Sequence, residues 1–294
     1  MLKGGSNVKK IQIWNSKPSR SFGGDLAILI FLTAGALFSV LPLVYAISNA
    51  FKPLNELFLF PPVFFVRNPT MNNFYDLFVL MSSSWVPFSR YVMNTLVISI
   101  VGTVGHVILA SLAAYALAKH DFPGSKAMFS VVILSLMFAR EVTNIPNYLI
   151  VSRLGWVDTY WAIILPAWAM SLGLFLMKQF IEAMIDDALL EAARIEGASE
   201  WVIFWRVVMP NVKPGWLTLV ILAFQSLWGE TGGQFIYSEQ LKTLPYALNQ
   251  IIGGGIARAG VGAAVGVIMM IVPITVFVIN QSKVIDTMGA SGIK

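Results

Sequence analysis

The run from Leu26 to Ala50 carries no charged residue, and its length alone limits what the chain can become. A helix crossing the hydrocarbon core of a bilayer needs about 20 mostly apolar residues. Five further segments read the same way: Tyr91 to Ala118, Ala127 to Ile150, Trp161 to Phe180, Pro214 to Phe235 and Gly260 to Asn280. Only 12% of the 294 residues are charged and 57% are hydrophobic, whereas a soluble globular chain is about one quarter charged. A larger core cannot absorb that deficit, because a soluble fold still faces water over its whole surface. The expected fold is all-α, a polytopic membrane protein with six transmembrane helices.

The distribution of basic residues orients it. With the N-terminus inside, thirteen of the 20 Lys and Arg residues fall on inner segments, among them Lys3, Lys9, Lys10, Lys17, Arg20, Lys119, Lys126, Arg194, Lys213 and Lys283. Basic residues favour the cytoplasmic side, so both termini are expected there. The domain reading is a cytoplasmic tail over 1–25, one membrane domain over 26–282 and a second cytoplasmic tail over 283–294. The first apolar run is too long for a signal peptide, and no small-residue cleavage site comes after it, so it reads as a retained span. Pro42 is a candidate kink. Lys52 to Ser89 forms a long outer loop containing Pro53, Pro61, Pro62 and Pro69, and Pro123-Gly124 reverses the chain in a tight inner turn.

Several chemistries are excluded. The chain has no cysteine, so neither disulfides nor thiolate metal sites are available. His106 and His120 are the only imidazoles, and His106 falls in mid-span, where packing is the plainer role than proton relay. No G-x-x-x-x-G-K-[ST] phosphate loop is present, and no Ser/His/Asp set clusters. The net charge of +5 is spread over span ends, which suits a lipid bilayer and calls for no nucleic acid.

One charged stretch interrupts this apolar chain. Asp187 to Pro210 reads as a helix–turn–helix between the fourth and fifth spans. Alanine-rich sequence up to Glu196 favours helix, and Gly197 is placed to end it. Ser199 is a candidate cap for the next helix, in which Trp201, Phe204, Trp205 and Val208 share one face. Ala192 and Ala193 leave room for another protein's surface, and Glu191 offers a charge to that surface or to Arg194.

Glu191-Ala192-Ala193, then Gly197, then an apolar run closing on Pro210, resembles the cytoplasmic coupling loop of ABC importer permeases. The resemblance extends from about Thr70 to the C-terminus. Met93-Asn94-Thr95-Leu96, Ala113-Ala114-Tyr115-Ala116-Leu117-Ala118, Phe122-Pro123-Gly124, Leu154-Gly155-Trp156-Val157-Asp158-Thr159 and Leu244-Pro245 look like its carbohydrate-uptake branch, in particular the shorter six-span subunit of maltose-type permeases. The chain departs from the family pattern in two places. Glu196 stands where an aspartate is common, and Trp228-Gly229-Glu230-Thr231 replaces the usual W-N-E-F. The resemblance implies import of a sugar or oligosaccharide by ATP-driven alternating access. It also implies a second homologous permease, two ATPase subunits holding ATP and Mg, and an extracytoplasmic substrate-binding protein, with no cofactor in this chain. Glu191, Ala192, Ala193 and Gly197 become the expected coupling residues.

The expected substrate path rests on energetic cost. An ionised side chain at bilayer depth costs several kcal/mol, so Arg140 and Glu141 either sit near the outer interface or line a watered cavity with Asn144 and Asn147. Trp228 and Glu230, at the polar end of the fifth span, complete the expected path of Arg140, Glu141, Asn144, Trp228 and Glu230. Two rival classes fit the residues less well. An ion-gradient transporter or channel would show inverted repeats and ionisable residues at the midplane, and no repeat is visible. An intramembrane enzyme would need paired catalytic groups, but Arg140, Glu141, Glu230 and His106 lie on three different spans.

Overall fold

The computed structural model describes residues 22–82, 85–253 and 255–291, with side chains left aside at 22, 140, 256 and 282–291. Most of the N-terminal tail, the last three residues and the Arg140 side chain therefore lie outside the description. The described residues form helices joined by turns, with no strand among them. The chain divides into two compact units, Met1–Tyr45 and Ala46–Lys294.

The first unit contains most of helix α1 (Phe22–Phe51), which continues through Pro42 without a break. None of its apolar window is buried. The second unit holds the other helices of eight residues or more. They are α2 (Asn72–Ser82), α3 (Phe88–Lys119), α4 (Ser125–Ser135), α5 (Arg140–Arg153), α6 (Trp161–Trp168), α7 (Ser171–Met184), α8 (Asp187–Ile195), α9 (Glu200–Asn211), α10 (Lys213–Trp228), α11 (Leu244–Ile252) and α12 (Ala259–Ser291).

Four stretches among the described residues are long and apolar enough to cross a membrane: Gly23–Phe51, Phe88–Lys119, Trp161–Met184 and Ala259–Gln281. The other two expected spans take different forms. Ala127 to Ile150 is not one helix but α4 and α5, separated at 136–139, where Ala139 adopts extended backbone. The break puts Arg140 and Glu141 at a helix start. There the Glu141 carboxylate complements the positive end of the helix dipole and does not have to sit inside an apolar helix. The fifth expected span ends at Trp228 rather than Phe235. At 1.5 Å per residue α10 is about 24 Å long, and residues 229–235 form a loop beyond it. α9 and α10 meet at a bend of 81°.

α3 is the central helix, packed against α6, α7 and α10. Its close approach to α7 depends on a glycine. His106 is 1% exposed, with Nδ1 3.4 Å from the Trp168 carbonyl. A Cβ at Gly173 would lie 2.0 Å from His106 Nε2. The Trp168 indole N–H in turn donates to the Val101 carbonyl at 3.2 Å. His106 is thus wedged between helices, in keeping with the packing role read from sequence.

Overpacking of this kind costs about 1–3 kcal/mol. Gly173→Ala should lower the thermal stability of the purified protein by that amount, and His106→Ala in the same chain should cost less than the two changes summed. A Gly173→Ala protein that melts with the wild type would refute the wedge.

Candidate functional site

The charged stretch folds as an elbow. Asp186 caps α8 by accepting the Ala188 N–H at 3.2 Å. The helix closes with two paired bonds, Gly197 N–H to the Arg194 carbonyl and Ala198 N–H to the Ala193 carbonyl, both 3.0 Å. This closure needs a left-handed residue just past the helix, and Gly197 supplies it at φ 81°. Ser199 sits at the start of α9 in extended backbone, but its side chain makes no capping bond, unlike the sequence expectation.

The expected apolar face of α9 is also divided. Residues 204–208 wind as a π-turn, whose wider i→i+5 spacing shifts the register of the residues beyond it. Phe204 and Val208 go into the core with Ile203, while Trp201 is left 61% exposed and Trp205 stays outside as well.

Leu190 anchors α8 from below. Glu191, Ala192 and Gly197 are exposed, Ala193 is half-buried, and Ile195 projects at 87% exposure. Arg194 does not engage Glu191; its Nε donates to Glu200 Oε1 at 2.7 Å. That hydrogen bond is the main reason the Glu200 carboxyl lies below the usual carboxylate range. Lys119, at the end of α3, donates to the Ile185 carbonyl at 2.7 Å and pairs with Asp187 at 2.6 Å.

A second feature lies between α5, α6, α10 and the loop after α10. It is a cavity of about 320 Å³. Thr143, Asn144, Asn147, Ser226, Glu230 and Gln234 give it hydroxyls, amides and a carboxylate, while Ile163, Leu227 and Phe235 supply apolar wall. Such a lining can hydrogen-bond a hydroxyl-rich ligand and cover its apolar faces.

The loop that carries Glu230 and Gln234 is held from three sides. Thr243 Oγ1 donates to the carbonyls of Glu230 and Thr231, each at 3.0 Å. The Leu244 N–H donates to Thr95 Oγ1 at 2.7 Å. Asn94 Nδ2 donates to the Gln240 and Lys242 carbonyls at 2.8 Å, and its Oδ1 accepts the Tyr160 hydroxyl at 2.7 Å. Asp158, at φ 62°, accepts the N–H groups of Tyr237 and Ser238 at 3.0 and 2.8 Å and also bonds the Ser238 hydroxyl. That hydroxyl, first among the causes, keeps the Asp158 carboxyl below its ordinary range.

Of the residues expected on a substrate path, Asn144 and Glu230 share this cavity. Glu141 is exposed in the first turn of α5 and does not line it. Trp228 is 4% exposed, donates its indole N–H to the Met269 carbonyl at 3.1 Å and stacks on Phe224, so its ring faces α12. Thr143, Ser226 and Gln234 were not singled out from sequence. The four-residue spacings Thr143–Asn147 and Ser226–Glu230 were the available signal. Glu200 was missed too, being three residues beyond the recognised spacing.

Apolar helices of spanning length, a polar cavity among them and a charged helical elbow define a helical membrane permease. Over residues 25–287 the chain matches the family described as the binding-protein-dependent transport system inner membrane component, and it belongs to that family. Its place in such a system is the membrane subunit, with ATP hydrolysis on separate subunits.

Among its relatives, the arabinooligosaccharides transport system permease protein AraQ of Halalkalibacterium halodurans is 30% identical over 88% of this chain and 92% of its own. Protein LplC of Bacillus subtilis is 31% identical over 76% of this chain and 72% of its own. The fold is shared with a chain of a bacterial ABC transporter that imports the acidic polysaccharide alginate. That match has a TM-score of 0.73 and 21% identity, over 90% of this chain and 99% of the other.

Asn94→Ala would strip three partners at once, and each buried group left unpaired costs about 1–3 kcal/mol. The variant should unfold at lower temperature and exchange the amides of residues 240–244 faster; unchanged exchange there would refute the clamp. Asp158 adds a pH signature. Its lowered folded pKa gives stability that is fully present above about pH 4, the unfolded carboxyl's range, and is lost as pH falls through the folded value. Asp158→Asn should remove that acid-side loss from thermal unfolding curves.

Proposed function

We propose that this permease imports a sugar or oligosaccharide by ATP-driven alternating access. It works beside a second homologous permease, two ATPase subunits and an extracytoplasmic substrate-binding protein. The observation that carries the reading is the cavity that pairs amides, hydroxyls and a carboxylate with the Phe235 ring, the surface chemistry a sugar requires. The AraQ relative, an arabinooligosaccharides transport system permease protein, supports it. A further solved chain of the same fold (TM-score 0.58, 16% identity) belongs to an alginate transporter in complex with an alginate pentasaccharide-bound periplasmic protein.

In this reading the exposed face of α8 is the part an ATPase grips. Glu191 and Ala192 meet its surface, Ala193 permits close approach, and Gly197 holds the angle between α8 and α9. Asn144 and Glu230 contact the substrate, with Arg140 and Glu141 at the rim of the path. Trp228 shapes the path from behind by fixing α10 on α12. The membrane is crossed six times, with α4 and α5 together as the broken span, and both termini and the elbow are cytoplasmic.

Three outcomes test this. Ser199→Cys, in a chain with no other thiol, should be labelled by an impermeant maleimide only from the cytoplasmic side; labelling from outside in intact cells would overturn the orientation. Glu230→Ala and Asn144→Ala should each lower uptake at least fivefold per assembled complex, measured with arabino- and alginate-oligosaccharide series as probes. Normal normalised rates in both would end the cavity assignment. Gly197→Val forces a β-branched residue into left-handed backbone, a strain of about 1–2 kcal/mol, and should cut binding-protein-stimulated ATP hydrolysis about tenfold. Full stimulation in a normally assembled complex would remove the elbow from coupling.

A further inference from the structure

The recognised spacing of the elbow ends at Gly197, yet its best-connected carboxylate is Glu200. Glu200 Oε2 accepts the Tyr115 hydroxyl of α3 at 2.7 Å and lies 3.4 Å from His120 Nε2, at the C-terminal cap of the same helix. Oε1 accepts Arg194 of α8 at 2.7 Å. One side chain on α9 therefore joins all three helices. Tyr115 is itself buried, with its ring 5.8 Å from that of Phe204.

The elbow does not need this cluster to stay folded. Ile203, Phe204 and Val208 seat α9 in the same buried cluster as Ala110, Ala114 and Tyr115 of α3. An ion pair as exposed as Arg194–Glu200 contributes only about 0–1 kcal/mol. α8 is held at its start by the Lys119–Asp187 pair and along one face by Leu190, with Ala193 packed partly against the same cluster. Its far end meets Gly197, which separates it from α9. The bond from Arg194 through Glu200 to Tyr115 is the directional link that ties this far end to α3.

α3 then runs 32 residues to the end where Asn94 and Thr95 hold segment 240–244, and Thr243 holds Glu230. We propose that Glu200 is the positioning residue that locks the C-terminal end of α8 to α3, complementing the Lys119–Asp187 pair at its start, so that a push on the elbow moves α3 and, through it, the cavity wall carrying Glu230. The inference rests on the proposed coupling of α8 to an ATPase and identifies the connection that coupling would use.

The test uses the assembled transporter in nanodiscs, with a bimane fluorophore on Ser226→Cys in the cavity wall and ATP with orthovanadate as the probe. The otherwise unaltered complex should trap nucleotide and shift the bimane emission. Glu200→Ala and Tyr115→Phe should each reduce that shift at least threefold, with co-purified ATPase and trapped nucleotide unchanged. The double variant should be no worse than either single one, and Glu200→Gln, which keeps one acceptor oxygen, should fall between. Tyr115→Phe removes one oxygen, so it stands in should Glu200→Ala misfold.

A full emission shift in both single variants would overturn the proposal. Loss of co-purified ATPase on Glu200→Ala would do so as well, by making Glu200 a docking residue. A parent complex that traps no nucleotide would instead sink the ATP-driven reading, and with it this inference.

Discussion

Close approach along α3 is the constraint on which the rest of the second unit depends. Lipid tails are as apolar as leucine, so helices in a bilayer gain little by hiding apolar surface from their surroundings. They associate through dispersion contacts and interhelical hydrogen bonds, which require small residues where backbones meet. Gly173 lets the Nε2 edge of the His106 ring press against α7, and the Trp168 indole reaches back to a backbone carbonyl of α3. Once α6, α7 and α10 are fixed on α3, the polar ends of that helix stand at set positions, one beside the elbow and the other beside the loop over the cavity.

Those two ends solve the same problem with similar means. A loop outside a helix must satisfy its carbonyls and N–H groups, and a buried side chain with several hydrogen-bonding atoms can do so while fixing its course. Asn94 uses both atoms of its amide, and Thr95 accepts from the first residue of α11. At the other end Lys119 takes the Ile185 carbonyl where α7 gives way to α8. Asn94, Thr95 and Lys119 thus act on segments between helices, one carrying the cavity's carboxylate and the other leading into the elbow.

The helical class and the approximate helix positions could be read from sequence because spanning length and apolar composition are nearly sufficient for them. The elbow was legible for a local reason: Gly197 is where a left-handed residue must fall after α8. The break at 136–139 was not, because the apolar run continues through it and only the charges of Arg140 and Glu141 hint at a helix start. The π-turn at 204–208 has no sequence signature that an i, i+3, i+4 reading would catch, and the expected single face splits: Phe204 and Val208 are buried while Trp201 and Trp205 stay exposed. Trp228 was misleading in a different way. Its neighbours at 226, 227 and 230 line the cavity, but at about 100° per residue its own ring turns to α12.

The short resemblances scattered along the chain acquire one physical meaning in the fold. Asn94-Thr95, Asp158 and Leu244-Pro245 are far apart in sequence, and each makes or receives a bond that fixes the segment from Gly229 to Leu244. None of them lines the cavity. Residues that hold a wall need not change when the ligand changes, whereas Thr143, Asn144, Ser226 and Gln234 can vary without loosening that loop. The replacement of Asn and Phe by Gly229 and Thr231 falls within the held segment, beside Glu230. The frame is therefore kept here while the side chains around the carboxylate differ from the family pattern.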